Sequence, residues 1–320
     1  MPPRSKASVD LETLLAEGLV SRGSDPKFIL HRIPFGIPDL DELVNGGIPR
    51  KCVTILNGEY SCGKSFLIQL FMKSVQEQGL SVAYVDTERS YDPDWWRAVG
   101  LNINEVYVAQ PVTGEDGVNT AMKLAQSGFD VVAIDSIAGL VPGEMTEEGA
   151  EKNFVAAQAR LVTRLMQKAL TTQHNAAIVC TNQLRSHLGP GPIDTMPGGW
   201  AQLFFSHVLL RIYRESWMEE KGKKIGFYMK VICRKSKVGT PYKECTLPFK
   251  FRGEIDILAM LAARAIDGGY IEQVGPWYSV FGGKRVQGLG AVITMLREDE
   301  ELRKKLEAAL GEVKGEEAVA

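Results

Sequence analysis

Gly58-Glu59-Tyr60-Ser61-Cys62-Gly63-Lys64-Ser65 lies between the apolar run 53–56 and the helix-like run 66–72, which predicts a strand, a tight loop and the start of a helix. The octapeptide matches every fixed position of the phosphate-binding pattern G-x-x-x-x-G-K-S/T. In such a loop the glycines let the backbone wrap a phosphate, Lys64 reaches the outer phosphates, and Ser65 offers a hydroxyl to Mg²⁺. The alternative is a glycine-rich turn without a ligand, which the flanking strand and helix disfavour.

Apolar runs at 53–56, 82–85, 131–134 and 177–181 alternate with helical stretches. This alternation is typical of a parallel sheet with helices on both faces, so the sequence predicts an α/β fold with a mainly parallel sheet. Because functional side chains cluster at the carboxyl ends of such strands, we expect the site at that edge.

The composition is that of a globular protein with a full core, since 45% of its 320 residues are hydrophobic. Lys and Arg number 37 against 39 acids, and a net charge of −2 gives no bulk attraction to nucleic acid. The five cysteines have no C-x-x-C spacing, which argues against structural zinc and favours buried thiols in a reducing compartment. No run approaches the roughly 20 apolar residues of a membrane span, and the N-terminus lacks a signal-peptide core, so we expect a cytoplasmic protein without a membrane partner.

Two strands of the predicted sheet end in acidic residues. Asp135 closes the run 131–135, the position from which a carboxylate holds Mg²⁺ directly or through water in nucleotide-binding proteins of this class. Its alternative role is to cap the next loop. Glu88 follows the apolar run 82–85, and we expect it to activate or orient the attacking water, with an exposed acid in a turn as the alternative.

Two further segments resemble the RecA-type ATPases. Residues 35–49 resemble the segment that leads into the phosphate loop of RecA recombinases, archaeal RadA, KaiC-like proteins and DnaB-type helicases. Residues 88–96 resemble the part of RecA that runs from the catalytic glutamate through Asp-Pro to an aromatic that stacks on adenine. The resemblance implies that Trp95 stacks on the base and that Asp92 contacts its exocyclic amine, whereas Trp96 is expected in the core.

Residues 182–199 resemble the γ-phosphate sensor of RecA and its second DNA-binding loop, here 186–199. The resemblance implies that Gln183 is a switch, and that the DNA-binding residues include Arg185, Ser186, His187, Gly198 and Gly199. The segment that matches the first DNA-binding loop, 141–152, carries four glutamates and one lysine, so its charge does not favour phosphate contacts. On a helix predicted at about 153–173, Arg160 is expected to project toward DNA, with a solvated helix face as the alternative for Arg164.

Strands predicted at about 207–213 and 227–233 flank a hairpin, and residues 221–252 contain ten Lys or Arg against one acid, Glu244. The local field is therefore basic although the whole chain is nearly neutral. A lysine-rich hairpin is most often simply solvated. The sequence Lys235-Ser236-Lys237, however, resembles the RecA lysine pair that reaches the ATP of the neighbouring protomer, which implies that Lys235 and Lys237 stabilise γ-phosphate charge in trans.

The predicted organisation has four parts. An N-terminal helix and linker span 1–32, a RecA-type ATPase core spans 33–255, a small α/β C-terminal domain spans 256–300, and a charged helix end with an acidic tail spans 301–320. The C-terminal segment 275–279, Gly-Pro-Trp-Tyr-Ser, resembles part of the C-terminal domain of bacterial RecA. KaiC-like proteins and DnaB-type helicases do not carry this segment. The N-terminal helix at 9–20 either packs on its own core or docks on a neighbouring copy.

The resemblance covers about 33–300, and on it the chain is identified as a member of the RecA recombinase family, in a divergent or phage-encoded form. It implies an ATPase that uses ATP and Mg²⁺, is stimulated by DNA, and forms a helical filament on single-stranded DNA. The filament would exchange strands with homologous duplex DNA. A hexameric DNA helicase and a regulatory, non-exchanging paralogue remain the alternatives. The Lys-x-Lys pair argues against the first, and the acidic loop 141–152 keeps the second open.

Overall fold

The computed structural model of the protein describes residues 11–143, 150–184 and 196–317. Its regular elements, in chain order, are α1 Leu11–Ala16, β1 Arg32–Ile33, α2 Pro38–Leu43, β2 Ile48–Pro49, β3 Val53–Gly58, α3 Lys64–Glu77, β4 Val82–Asp86, α4 Pro93–Val99, β5 Val106–Ala109, α5 Gly114–Gln126, β6 Val131–Asp135, α6 Ala150–Thr171, β7 Ala177–Gln183, α7 Ala201–Phe205, β8 Val208–Glu220, β9 Lys223–Ser236, β10 Glu244–Lys250, β11 Glu254–Ile255, α8 Ile257–Asp267, β12 Ile271–Val274, β13 Trp277–Val280, β14 Val286–Gln287, α9 Leu289–Glu298 and α10 Glu300–Glu317.

A sheet of nine strands, in the order β11-β10-β9-β8-β3-β7-β6-β4-β5, runs through the described core. The six strands from β8 to β5 are parallel, and β9, β10 and β11 extend this sheet by antiparallel pairing. Every residue of β3, β4 and β6 is buried, as expected for central strands that are covered by helices on both faces. The predicted α/β fold with a mainly parallel sheet is confirmed.

Two apolar layers hold the helices against this sheet. On one face, Leu67 and Phe71 of α3 pack with α2 and α4. On the other face, Val118 of α5 packs with Leu165 and Met166 of α6. Both layers rest on the central strands, so the carboxyl ends of β3, β4, β6 and β7 are held rigidly side by side.

A smaller unit follows the large sheet. Its three-stranded sheet, β12-β13-β14, packs with α8, α9 and α10 around its own core, which includes Ile271, Val292 and Leu306. An ion pair of 3.2 Å between Arg264 and Asp39 joins α8 to α2. The small α/β C-terminal unit predicted from the sequence is therefore present.

Some boundaries differ from the expected ones. The hairpin strands β8 and β9 are 13 and 14 residues long, instead of about seven each, and they meet at Lys221-Gly222, both with positive φ. The expected boundaries were wrong because most residues of β8 beyond Tyr213 are polar or charged, whereas a two-residue turn of this conformation supports long antiparallel pairing. Helices α9 and α10 are separate, because the Asp299 carboxylate accepts from the Leu302 N–H (2.9 Å) and starts α10.

Adjacent tryptophans on α4 occupy different environments. Trp96 is 1% exposed, and its ring packs edge-on against Tyr84 (4.7 Å between centroids) and Tyr91 (5.0 Å). Trp95 is only half-buried. The expectation that Trp96 belongs to the core is confirmed.

Trp96→Ala is expected to lower the free energy of unfolding by about 3–5 kcal/mol, because the truncation opens a cavity in a close-packed core. Urea unfolding followed by circular dichroism measures this change. Trp95→Ala is the matched control. Its free energy of unfolding should fall by clearly less, because the Trp95 ring is only half-buried. Equal losses in the two variants would contradict this difference in packing.

Candidate functional site

The loop between β3 and α3 has the backbone of a phosphate cradle. Gly63 precedes α3 with a φ of 92°, and no side chain caps this helix, so its first N–H groups remain available for an anion. Ser61 also has a positive φ, of 51°. A Cβ atom on Gly58 would lie 2.1 Å from the Ile212 carbonyl oxygen, so only glycine fits where β3 meets β8.

The Lys64 ammonium lies inside this loop. Its Nζ donates to the carbonyl oxygens of Gly58 (3.1 Å) and Glu59 (2.5 Å) and lies 3.8 Å from the Cys62 Sγ. Cys62 is buried under the loop, and burial raises the pKa of its thiol, which therefore remains protonated. Glu59, Tyr60 and Ser61, in contrast, are exposed. The cation is thus positioned where phosphate oxygens could replace the loop carbonyls.

Asp135 lies at the end of β6, in the middle of three neighbouring strands. The hydroxyl of Tyr84 on β4 donates to its Oδ2 (2.9 Å), and the hydroxyl of Thr181 on β7 donates to its Oδ1. All three side chains are buried. Burial and the neighbouring Asp135 raise the pKa of Tyr84, so its phenol remains a donor.

Glu88 and Gln183 come together at the same edge of the sheet. Glu88 is exposed in the turn after β4, and Gln183 is the last residue of β7. The Gln183 Nε2 donates to the Glu88 Oε1 (3.3 Å), and the Ser136 hydroxyl donates to the same oxygen. The buried Asp86 supports the turn by accepting the N–H groups of Ser90 (3.1 Å) and Tyr91 (3.0 Å).

The two residues expected at the base lie on α4. Asp92 caps this helix, because its Oδ1 accepts the N–H of Asp94 (2.9 Å). The Trp95 indole N–H donates to the Gln69 Oε1 on α3 (2.9 Å), and its ring lies against Gly253, where a Cβ would be 3.4 Å away. Trp95 therefore lies between the helix that begins at the phosphate loop and the turn after β10.

No group of three or more His, Cys, Asp or Glu side chains that could hold a metal occurs among residues 11–143, 154–184 and 196–310. Mg²⁺ bound with a nucleotide takes most of its ligands from phosphate and water and needs only one or two protein oxygens. The Ser65 hydroxyl and the buried Asp135 carboxylate are oxygen donors of this kind, so the residues fit the ion.

The chain matches the family model described as the RecA N-terminal domain over residues 11–256. It belongs to the RecA family. It is 34% identical over 306 residues to Protein RecA of Thermus aquaticus, covering 93% of this chain and 90% of the relative. It is 33% identical to Protein RecA of Chlorobaculum parvum over 301 residues, 92% and 87% of the two chains, and 33% identical to Protein RecA of a Thermus thermophilus strain over 319 residues, 97% and 94%.

Membership in the RecA family confirms the recombinase function and the DNA-dependent ATPase activity that the sequence predicted. It also supports nucleotide binding and DNA binding as properties of the family. The helicase and the regulatory paralogue are not favoured. In the part of the chain that the structure describes, no helix is long and apolar enough to cross a membrane.

The lysine pair of this RecA-family chain lies at the edge of the sheet opposite the phosphate loop. The Lys237 N–H donates to the His207 carbonyl (2.8 Å), and the His207 N–H donates to the carbonyl of Val53, the first residue of β3 (2.8 Å). Gly58 is the last residue of β3. Five residues of strand separate the two edges, which is roughly 16 Å. The lysines and the phosphate loop of one protomer are therefore far apart.

Both lysine side chains bind the carboxyl end of α7. The Lys235 Nζ donates to the carbonyl oxygens of Phe204 (3.2 Å), Ser206 (2.7 Å) and Leu203, and the Lys237 Nζ donates to that of Phe204 (2.7 Å). Burial, and then the charge of Lys237, lower the pKa of Lys235 to about 8. The pair thus stabilises the exposed carbonyl end of a short helix.

Only some of the DNA-binding residues that the RecA resemblance implies lie in the part of the chain that the structure describes. Arg160 and Arg164 lie one turn apart on α6 and line a pocket with Glu115 and Pro142. Gly198 and Gly199 have φ values of 89° and 71° and lead into α7. Arg185, Ser186 and His187 lie outside the described residues, as do 144–149 of the acidic loop.

Sequence reasoning missed a pair of buried amides at the base of the second loop. The Asn182 Nδ2 donates to the carbonyl of Pro197 (3.0 Å) and to the Gln202 Oε1 (2.6 Å). The Gln202 Nε2 donates to the carbonyls of Pro197 (2.7 Å) and Gly199 (3.0 Å). The sequence did contain a signal for this pair. Asn182 lies near the end of an apolar strand, and a buried amide requires hydrogen-bond partners.

Proposed function

We propose that the protein polymerises on single-stranded DNA as a helical filament, pairs it with homologous duplex DNA and exchanges strands, with ATP hydrolysis driving turnover. One observation carries the proposal. The end of β7 places Gln183 on Glu88 and the adjacent Asn182 on the base of the second loop. A change at the γ-phosphate and a change in the DNA loop can therefore be transmitted through two successive residues of one strand.

The phosphate loop binds ATP in this proposal. Its backbone N–H groups and the start of α3 hold the phosphates, and the Lys64 ammonium moves from loop carbonyls to phosphate oxygens. Trp95 stacks on adenine, and Asp92 accepts from its amine. Ser65 and Asp135 hold Mg²⁺, which neutralises charge on the β- and γ-phosphate oxygens when it is bound.

Glu88 orients and deprotonates the attacking water. Its carboxylate is exposed and receives hydrogen bonds from Ser136 and Gln183, so it is held in one position but remains accessible to water. Gln183 has the γ-phosphate as its second partner. When γ-phosphate is released, Gln183 keeps only Glu88, and we propose that this change loosens the second loop on DNA.

Lys235 and Lys237 act on the nucleotide of the adjacent protomer. Within one protomer they lie roughly 16 Å of strand away from the phosphate loop, so a cis role is not favoured. In a head-to-tail assembly one protomer presents its lysine edge to the phosphate-loop edge of the next, and such interfaces generate helical filaments when the rotation does not close a ring. Two ammonium groups then stabilise the charge that develops on the γ-phosphate.

The N-terminal segment supplies a second contact between protomers. Helix α1 buries none of its residues on its own protomer, and Leu19 and Phe28 are 68% and 57% exposed. The sheet ends at β5, where Tyr107 is 60% exposed. Exposed apolar side chains at this outer strand offer a surface on which the apolar residues of a segment from another copy can pack. We therefore place 9–20 on a neighbouring copy.

Single-stranded DNA lies along the second loop and Arg160. The basic stretch 221–252 adds a local positive field, although part of it is neutralised, since Lys230 pairs with Glu244 (2.5 Å) and Lys250 with Asp256 (2.5 Å). All five cysteines are free thiols. This state fits the reducing cytoplasm, where we place the protein.

The pH dependence of assembly follows from Lys235. Its pKa is about 8 when it is held against α7, and the phosphates of a neighbour would raise it. Assembly would then take up a proton, so it is favoured below pH 8 and weakens as the pH rises above 8. Light scattering with ATP, Mg²⁺ and single-stranded DNA at pH 7 and pH 9 measures this change. Lys235→Arg keeps its positive charge at pH 9, so this variant should assemble equally well at pH 7 and pH 9. If its assembly still decreased at pH 9, titration of Lys235 would not be the cause.

Strand exchange between circular single-stranded DNA and homologous linear duplex tests the proposed function. We expect joint molecules and then a nicked circular duplex, with ATP and Mg²⁺ both required. A linear duplex of unrelated sequence is the matched control and should give no joint molecules. Failure of exchange in the presence of active ATP hydrolysis would overturn the proposal.

A further inference from the structure

The Asp135 carboxylate is fixed by two hydroxyls that stand on the strands beside it. The order β7-β6-β4 puts Thr181 and Tyr84 on either side of Asp135. The Tyr84 hydroxyl donates to Oδ2 (2.9 Å) and the Thr181 hydroxyl to Oδ1, so each oxygen receives one hydrogen bond. Together they prevent rotation of the carboxylate about its Cβ–Cγ bond.

Packing alone does not account for these hydroxyls. Val would occupy nearly the volume of Thr181, and Phe would make the same edge-on contact with Trp96 that the Tyr84 ring makes at 4.7 Å. A buried hydroxyl is unfavourable unless it has a partner. Both of these hydroxyls share the same partner, which is the carboxylate that faces the nucleotide.

We infer that Tyr84 and Thr181 are positioning residues that hold the Asp135 carboxylate in the orientation in which it would contact Mg²⁺. The inference rests on the proposed function of Asp135. A carboxylate offers about four acceptor sites, and the two hydroxyls occupy one on each oxygen. One acceptor site on each oxygen therefore remains for Mg²⁺ or for the waters that it keeps.

Tyr84→Phe and Thr181→Val remove one hydroxyl each with little change of volume. We would titrate each purified variant with Mn²⁺ in the presence of a non-hydrolysable ATP analogue and follow bound metal by electron paramagnetic resonance. Loss of an outer-shell partner should raise the half-saturating metal concentration by about tenfold. Binding of the analogue in EDTA should not change, because neither hydroxyl contacts the nucleotide in this arrangement. A purely structural role would alter both measurements.

Two further variants serve as controls. In the part of the chain that the structure describes, the Thr54 hydroxyl is buried without a hydrogen-bond partner, so Thr54→Val removes a buried hydroxyl from a neighbouring strand without removing a bond. It should leave metal binding unchanged. Thr181→Ser keeps the donor and should retain the affinity of the unmodified protein. In an Asp135→Asn background, Tyr84→Phe should have no further effect on metal binding.

Metal affinities of Tyr84→Phe and Thr181→Val within twofold of the unmodified protein would overturn the inference, as would an equal loss in Thr54→Val. These results differ from failure of the proposed function. If Asp135→Asn bound Mn²⁺ with the affinity of the unmodified protein, the metal role of Asp135 itself would be wrong, whatever Tyr84→Phe and Thr181→Val showed.

Discussion

Mixing Lys235→Ala protomers with Glu88→Ala protomers is expected to restore ATP hydrolysis that neither variant shows alone. In the proposed mechanism Glu88 acts on the nucleotide of its own protomer, so its loss should lower kcat by about 10²–10⁴-fold. In the proposed mechanism Lys235 acts on the nucleotide of the neighbour, so its loss should lower kcat by about 10³-fold or more, as for a charge-stabilising arginine finger. In a mixed filament, some interfaces combine an intact Glu88 with an intact Lys235. Random mixing at equal concentrations gives about a quarter of such interfaces and therefore about a quarter of the full rate.

The control mixture combines two variants that are defective in cis. Lys64→Ala with Glu88→Ala should give no restoration, because every interface then contains a defective phosphate site. ATP hydrolysis with single-stranded DNA in excess is the measurement. If the Lys235→Ala and Glu88→Ala mixture remained as inactive as its components, Lys235 would have no trans role.

Lys64→Ala is expected to lower ATP hydrolysis by about 10³-fold, because it removes the only side-chain cation of the described loop 58–65, which we propose binds the phosphates. The fold should persist, since Lys64 bonds only to carbonyls and a thiol of its own loop. A phosphate-release assay and a thermal melt separate the two effects.

Lys73→Ala is the matched control for Lys64→Ala. It removes a lysine from the same helix, where the ammonium makes an exposed ion pair with Glu77 (3.8 Å). Exposed ion pairs contribute little to the stability of the fold, so neither the rate of ATP hydrolysis nor the melting temperature should change appreciably. Near-normal hydrolysis by Lys64→Ala would contradict the assignment of the phosphate loop.

The features that the sequence predicted correctly are local ones. The strand, loop and helix around 58–65, the central strands and the core position of Trp96 follow from patterns within a few residues, such as an apolar run followed by glycines. The strand order brings Glu88 and Gln183 together, which a single sequence could suggest only through family resemblance. The length of the hairpin was underestimated because five of the seven strand residues 214–220 are polar or charged, and their pairing depends on partners across the turn.

The features that the sequence did not predict depend on contacts between distant residues. Tyr84 and Thr181 meet Asp135 from 51 and 46 residues away, and each resembles an ordinary strand residue in its own run. The contacts of Lys235 with the end of α7 span about 30 residues and depend on how β9 pairs with β8. Such contacts become visible only when the sheet order is known.

The proposed activity depends on assembly on DNA, because half of the proposed active site comes from a second protomer. The most direct measurement is electron microscopy of the protein with ATP, Mg²⁺ and single-stranded DNA, together with the hydrolysis rate in the same sample. We predict helical filaments that follow the DNA and hydrolysis that rises when single-stranded DNA is added. The absence of filaments, or hydrolysis that is indifferent to DNA, would contradict the account.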